Sequence, residues 1–271
     1  MANSQSSKPI GVFDSGIGGL TVAHAISKLM PNERIVYFGD TAHLPYGDKS
    51  PELIHSFVQN ISSFLIQKEN CKAVVMACNT ASATSYEFLR DKHKGVFPII
   101  NVIDPIVEAI VNDSSIKKVG LIATKTTVES GVYQEKLNRR NPDVKIEVLA
   151  TPLLAPMIEE GFSQDKISHT VIENYLSNPK FKDIDALILG CTHYVLIADE
   201  INDFFGGKVK LFDSTDILAL KLRDILDNEN LLSQGRGSKN KFYVSDLTKG
   251  FSESASRFYG ENVVLELNKI E

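Results

Sequence analysis

Two short stretches share one grammar. Residues 187–196 read LILGCTHYVL and residues 73–82 read AVVMACNTAS: an aliphatic run, a small residue, then Cys191 or Cys78, with Thr192 or Thr80 close behind. The chain has three cysteines, so two of them in matching turns need one explanation. A thiol with an ordinary pKa near ~8.5 serves as acid or as thiolate base around neutrality, and its neighbours decide which. Two thiols on opposite sides of a small molecule suit a two-base reaction. One takes a proton from carbon and the other delivers a proton to the opposite face. His193, two residues past Cys191, and Asp14, at the mouth of an earlier apolar run, could orient the thiols or accept their protons. Ser15, Asn79, Thr80 and Thr192 add hydroxyl and amide partners for a carboxylate. The turn DSGIGGL and the helix starts after Asn79 and Thr192 offer backbone N–H donors to an anion.

Each feature also has a plainer reading. A cysteine ending a buried strand ordinarily acts as a small hydrophobe, and Cys71 is expected to do so. GIGGL lacks the spacing of a dinucleotide fingerprint. His24, His43, His55, His93 and His169 are expected on the surface or on helix faces. A hydrolase or decarboxylase with one nucleophilic thiol leaves the second Cys-Thr turn unexplained. A metal held by Cys78, Cys191 and His193 lacks the short paired spacing of structural zinc sites. A pyridoxal enzyme needs a Schiff-base lysine, and none sits in a turn that recommends it. A two-domain binding protein would close on an amino acid without exchanging its α-hydrogen. The expectation is therefore no metal and no cofactor.

The elements that must position these residues alternate. Near-continuous apolar runs at 10–14, 34–40, 73–78 and 98–103 read as strands of a parallel sheet covered on both faces. Helical spacing separates them. In residues 50–70, Ser50-Pro51 suits a helix start, and Leu53, Phe57, Ile61, Phe64 and Leu65 are expected on its inner side. Further strands at 118–124, 145–151, 186–191 and 208–213 repeat the series, so the fold class is α/β. The halves look like two copies of one plan: two doubly wound parallel-sheet domains related by pseudo-twofold symmetry, with the site in the cleft between them. The expected division is 1–104 plus 216–271 against 105–215. A helix is expected from about 216, then a strand KFYVSD returning to the first sheet. SQGRGSKNK (233–241) reads as a mobile surface loop.

The 271 residues, 43% hydrophobic, suffice for a packed core, and a net charge of −5 gives no basic field for nucleic acid or acidic membranes. The doublets Lys117-Lys118 and Arg139-Arg140 are expected to be solvated. No apolar run approaches the length of a membrane helix, and residues 1–11 lack the apolar stretch of a secretory leader. Three cysteines make no disulfide framework, and a reducing cytoplasm is the expected setting.

The motifs GVFDSGIGGLTV, PYGDKS, ACNTAS, IEEG and GCTHY, in this order and over about residues 9–250, closely resemble the glutamate racemases of the aspartate/glutamate racemase superfamily. GCTH points to the glutamate rather than the aspartate branch, with a related aspartate racemase the nearest alternative. The resemblance implies cofactor-independent interconversion of L- and D-glutamate, with D-glutamate feeding peptidoglycan synthesis. By it, Cys78 is the base for D-glutamate, assisted by Asp14. Cys191 is the base for L-glutamate, assisted by Glu159 and His193. Asp14, Ser15, Tyr46, Gly47, Asn79, Thr80, Thr192 and His193 match the substrate-contacting motifs, and Thr124 and Thr127 occupy the corresponding turn of the second half. The resemblance is compatible with a homodimer. It departs at Val195, where the family usually has proline, and at Asp104-Pro105-Ile106, where relatives usually read Glu-Pro-Gly.

Overall fold

The computed structural model describes residues 5–235 and 239–270. Residues 1–4 of the amino-terminal stretch and residues 236–238 of the 233–241 segment lie outside the described residues. Among the described residues, ten strands form two wholly parallel sheets. The first half runs β1 (Ile10–Asp14), α1 (Leu20–Leu29), β2 (Ile35–Gly39), α2 (Pro51–Ser63), β3 (Ala73–Met76), α3 (Asn79–Lys92) and β4 (Ile99–Asn101), and α4 (Ile103–Val111) leads across to the second. The second runs β5 (Lys118–Ala123), α5 (Lys125–Glu129), α6 (Val132–Arg140), β6 (Lys145–Ala150), α7 (Leu154–Glu159), α8 (Lys166–Leu176), β7 (Ala186–Gly190), α9 (Ala198–Phe204) and β8 (Lys210–Phe212). α10 (Thr215–Asn228), β9 (Lys241–Val244), α11 (Lys249–Tyr259) and β10 (Leu265–Leu267) close the chain.

The order β10-β9-β2-β1-β3-β4 in one sheet and β6-β5-β7-β8 in the other makes the repeat explicit. The series β2-β1-β3-β4 and β6-β5-β7-β8 are equivalent, so β3, which leads to Cys78, corresponds to β7, which leads to Cys191. The KFYVSD strand does rejoin the first sheet, pairing with β2.

Alternation along each strand explains the apolar runs. Ile10 and Val12, Ile35 and Tyr37, and Ala73 and Val75 face one core. Their neighbours Phe13, Val36, Phe38, Val74 and Met76 face another. With both faces under helices, a strand keeps no polar side. The first of these cores is continuous with that of the second sheet through residues such as Val119, Leu121 and Leu187, so the halves are packed against one another.

α2 starts as expected, with Pro51 in its first turn and the Ser50 hydroxyl accepting from the Leu53 N–H at 3.4 Å. Its inner face meets the expectation at Ile61 and Leu65 but not at Leu53. Ile54, Val58, Ile61 and Leu65 are buried, whereas Leu53 is 45% exposed. Phe64 is half-buried and Phe57 stacks on His43 and Tyr46. Both apolar rows have helical spacing, and the packing of α2 on α3 and on the sheet selects between them. No helix among the described residues is long and apolar enough to cross a membrane.

Candidate active site

The loops that follow β1, β3, β5 and β7 meet at one cavity of about 200 Å³. Its walls include Ser15, Tyr46, Gly47, Cys78, Asn79, Thr80, Thr124, Glu159, Cys191, Thr192 and His193. The carboxyl ends of the two sheets therefore face each other, the usual place for ligands in parallel α/β folds. Of the residues picked out from sequence, Asp14 and Thr127 are absent from the wall. Asp14 is buried next to Ser15, and Thr127 is buried with its hydroxyl 3.0 Å from that of Thr124 and 3.3 Å from that of Thr80. Cys71 is buried packing, as expected. None of the five other histidines lines the cavity.

Close approach of the halves leaves no room for side chains at two points. A Cβ at Gly18 would overlap the side chains of Thr192 and His193, and one at Gly47 would lie 2.9 Å from Cβ of Thr124. Hydrogen bonds cross at the same places. Thr126 donates to the Gly47 carbonyl at 2.7 Å, and the hydroxyls of Thr80 and Thr124 are 2.9 Å apart.

The two thiols sit in different surroundings. Cys78 caps the amino end of α3, its Sγ accepting from the Ala81 N–H at 3.4 Å and lying 3.6 Å from the Ser15 hydroxyl. Burial pushes this thiol up to about 12, and the Asp14 charge adds to the effect. The Ala81 N–H and the Ser15 hydroxyl oppose it. Cys191 is more exposed, and its Sγ lies 3.5 Å from Nδ1 of His193. His193 Nε2 in turn meets Glu159 Oε1 at 2.8 Å. Burial by itself disfavours an imidazolium, but Cys191 and Glu159 together hold His193 well above the ordinary histidine range. One thiol is thus kept as S–H, while the other faces a cation.

In the turn after β1, Gly16 donates to the Asp14 carboxylate at 3.2 Å and Leu20 to the Ile17 carbonyl. The Nδ2 of Asn79 is buried and has no hydrogen-bond partner among the described residues, while its Oδ1 accepts from the Tyr133 hydroxyl at 2.7 Å.

A model of the Asp/Glu/Hydantoin racemase family matches residues 20–222. The chain belongs to that family. It is similar to a glutamate racemase of Geobacter metallireducens, 40% identical over 93% of each chain. Among solved structures it is similar to the glutamate racemase of Francisella tularensis in complex with D-glutamate, with a TM-score of 0.90 at 37% identity, covering 97% of this chain and 98% of that one. A glutamate racemase isoform from Bacillus anthracis gives a TM-score of 0.91 at 33% identity, with coverage of 97% and 98%.

In this racemase-family chain the departures from the common motifs leave the thiols in place. Val195 lies in a 3-10 turn, Tyr194–Ile197, that continues directly into α9. Asp104 stands in the first turn of α4, accepts from Asn101 Nδ2 at 2.8 Å and pairs with Lys136 at 2.7 Å. Three supports of the site have no local sequence signal: Tyr133, Arg257, which donates to the Glu159 carbonyl at 2.9 Å, and Phe258, whose ring meets His193 edge-on at 5.2 Å.

Proposed function

We propose that this chain is a glutamate racemase that works with two cysteines and without a cofactor, supplying D-glutamate for peptidoglycan synthesis in the cytoplasm. The observation that carries the reading is the presence of Cys78 and Cys191, each following the equivalent strand of its half, in the walls of one cavity. The family membership and the glutamate racemases it resembles support the substrate. The proposed units are 1–104 with 216–271, and 105–215.

For L-glutamate, Cys191 as thiolate takes the α-proton, and Cys78 as thiol gives its S–H proton to the opposite face of the same carbon. The product is D-glutamate, Cys191 is left as thiol and Cys78 as thiolate. The reverse reaction exchanges these roles. His193, held protonated by Glu159, stabilises the Cys191 thiolate as a fixed cation, and Asp14 serves Cys78 electrostatically through its burial nearby. A carbon acid beside a carboxylate is very weak, so the thiolate must be a strong base. Burial of Cys78 provides that basicity at the cost of making its thiolate scarce. Negative charge developing on the substrate carboxylate is met by the hydroxyls of Ser15, Thr80, Thr124 and Thr192 and the free amide of Asn79. Donors fixed in a water-poor cavity stabilise such charge without reorganising. Tyr46 and Gly47 complete the wall on the first half.

The experiment is turnover of L-glutamate by the purified chain after chelation and without pyridoxal phosphate, followed by chiral chromatography, with L-aspartate as control. D-glutamate should accumulate to a racemic mixture and L-aspartate should stay unchanged. Cys78→Ser and Cys191→Ser should each reduce turnover by at least about 10³-fold while glutamate still binds. Wild-type turnover in either variant would remove the two-base reading.

A further inference from the structure

α6 belongs to the second half, yet two residues one turn apart on it reach the first. Tyr133 is fully buried and donates to Asn79. Lys136 pairs with Asp104 at 2.7 Å and with Glu87 at 3.2 Å, docking the helix against α3 and the amino end of α4. An asparagine amide can present either its oxygen or its NH2 to a ligand, and only its partners decide which. Here the phenol decides. Turning the Asn79 amide over would leave the buried Tyr133 O–H facing a donor, and a buried donor without an acceptor is costly. Burial, together with the charges of Asp104 and Cys191, pushes the phenol far above its ordinary range, so it stays a donor at any pH the protein meets. The Nδ2 side of Asn79 is left buried in the cavity wall, unpaired among the described residues.

We propose that Tyr133 is a positioning residue that sets the polarity of Asn79. By occupying Oδ1 it commits both Nδ2–H donors to the substrate, so that the site selects a carboxylate oxygen over an amide nitrogen at that point. The proposal rests on glutamate being the substrate. Because the phenol comes from one half and the amide from the other, correct polarity also depends on the two halves being docked.

The test is a kinetic cycle on the full chain with D- and L-glutamate: wild type, Tyr133→Phe, Asn79→Ala and the double variant. Glutamine and isoglutamine, the two mono-amides, serve as competitors. Tyr133→Phe should raise KM about tenfold, the size of one lost buried hydrogen bond, with kcat changed less than about threefold. In the Asn79→Ala background the same change should add less than about twofold. One mono-amide should gain severalfold in affinity relative to glutamate in Tyr133→Phe, because the amide is then free to turn. A purely structural tyrosine would not move that ratio. Asn79→Asp is a second variant, isosteric and still able to accept from Tyr133, and it should raise KM at least as far as Asn79→Ala. The proposal is overturned if Tyr133→Phe leaves KM unchanged, if its effect is undiminished in the Asn79→Ala background, or if Asn79→Asp has wild-type KM. Absent glutamate turnover in the wild type would instead mark failure of the racemase reading.

Discussion

Nε2 of His193 lies 2.8 Å from Oε1 of Glu159, on the side of the ring away from Cys191. That contact fixes the ring so that Nδ1 faces the sulfur, and it supplies the negative charge that keeps the imidazole basic. Loss of the cationic ring should lower kcat by about 10²-fold or more in His193→Gln, in the range of electrostatic stabilisation. Glu159→Gln keeps the hydrogen bond and removes the charge, and about tenfold is expected. Enantiomers have equal free energy, so kcat/KM must stay equal in the two directions for every variant. The asymmetry between Cys191 and Cys78 should therefore appear in kcat and KM separately. Steady-state kinetics from each enantiomer reads this directly. A Glu159→Gln enzyme with unchanged kcat in both directions would contradict the role given to the pair.

The contrast between the two thiols predicts an order of alkylation. Cys191 is partly exposed and faces a cationic ring, whereas Cys78 is buried and held as S–H. Reactivity follows thiolate character and access. Substoichiometric iodoacetamide at neutral pH, followed by peptide mass mapping, should label Cys191 first and Cys71 last. Saturating glutamate should protect Cys191. Preferential labelling of Cys78 would mean that the protonation pattern is reversed.

Gly18 tests how tightly the halves must close. Its Cβ would occupy space held by Thr192 and His193, and these belong to the half opposite α1. Gly18→Ala should lower kcat/KM by about 10²-fold or more, because small misplacements of reacting groups cost that much. The secondary structure should persist, since Gly18 has an ordinary negative φ and lies in a loop. Circular dichroism and turnover, measured on one sample, separate these effects.

Alkaline stability has a defined sign. Burial, reinforced by the nearby charges of Glu69 and Asp14 respectively, pushes the thiols of Cys71 and Cys78 up from 9.0 to about 12. The folded state then holds protons that the unfolded chain releases. Their contribution is fully present below pH ~9 and is lost as pH rises toward ~12. Urea midpoints should fall between pH 9 and 11, and Cys71→Ala should flatten that decline relative to wild type. An equally steep decline in the variant would show that the Cys71 thiol plays no part.

Much of this was legible in the sequence because parallel strands buried on both faces write themselves as unbroken apolar runs. β1, β2, β5, β6 and β7 match their expected spans to within one residue at either end, and chemistry sits where those runs stop. The inner face of α2 was legible only in part: Ile61 and Leu65 are buried as expected, but Leu53/Phe57 and Ile54/Val58 have the same helical spacing, and only the neighbouring elements choose the second pair. β10 was hidden for a different reason: it is a three-residue edge strand with only Leu265 buried. Phe258 and Arg257 on α11 and Tyr133 on α6 support site residues from 54 to 98 positions away. Nothing local in a sequence announces such contacts.

In the proposed mechanism, two different thiols handle the α-proton on the two faces of glutamate. The direct test follows L-glutamate in D2O at early conversion, with the deuterium content of each enantiomer read after chiral separation. Two bases predict D-glutamate fully deuterated at the α-carbon while the remaining L-glutamate is still almost entirely protiated. Protium retained in the D-glutamate, or deuterium entering L-glutamate as fast as D-glutamate forms, would mean that a single group carries the proton across, contradicting the assignment of Cys78 and Cys191.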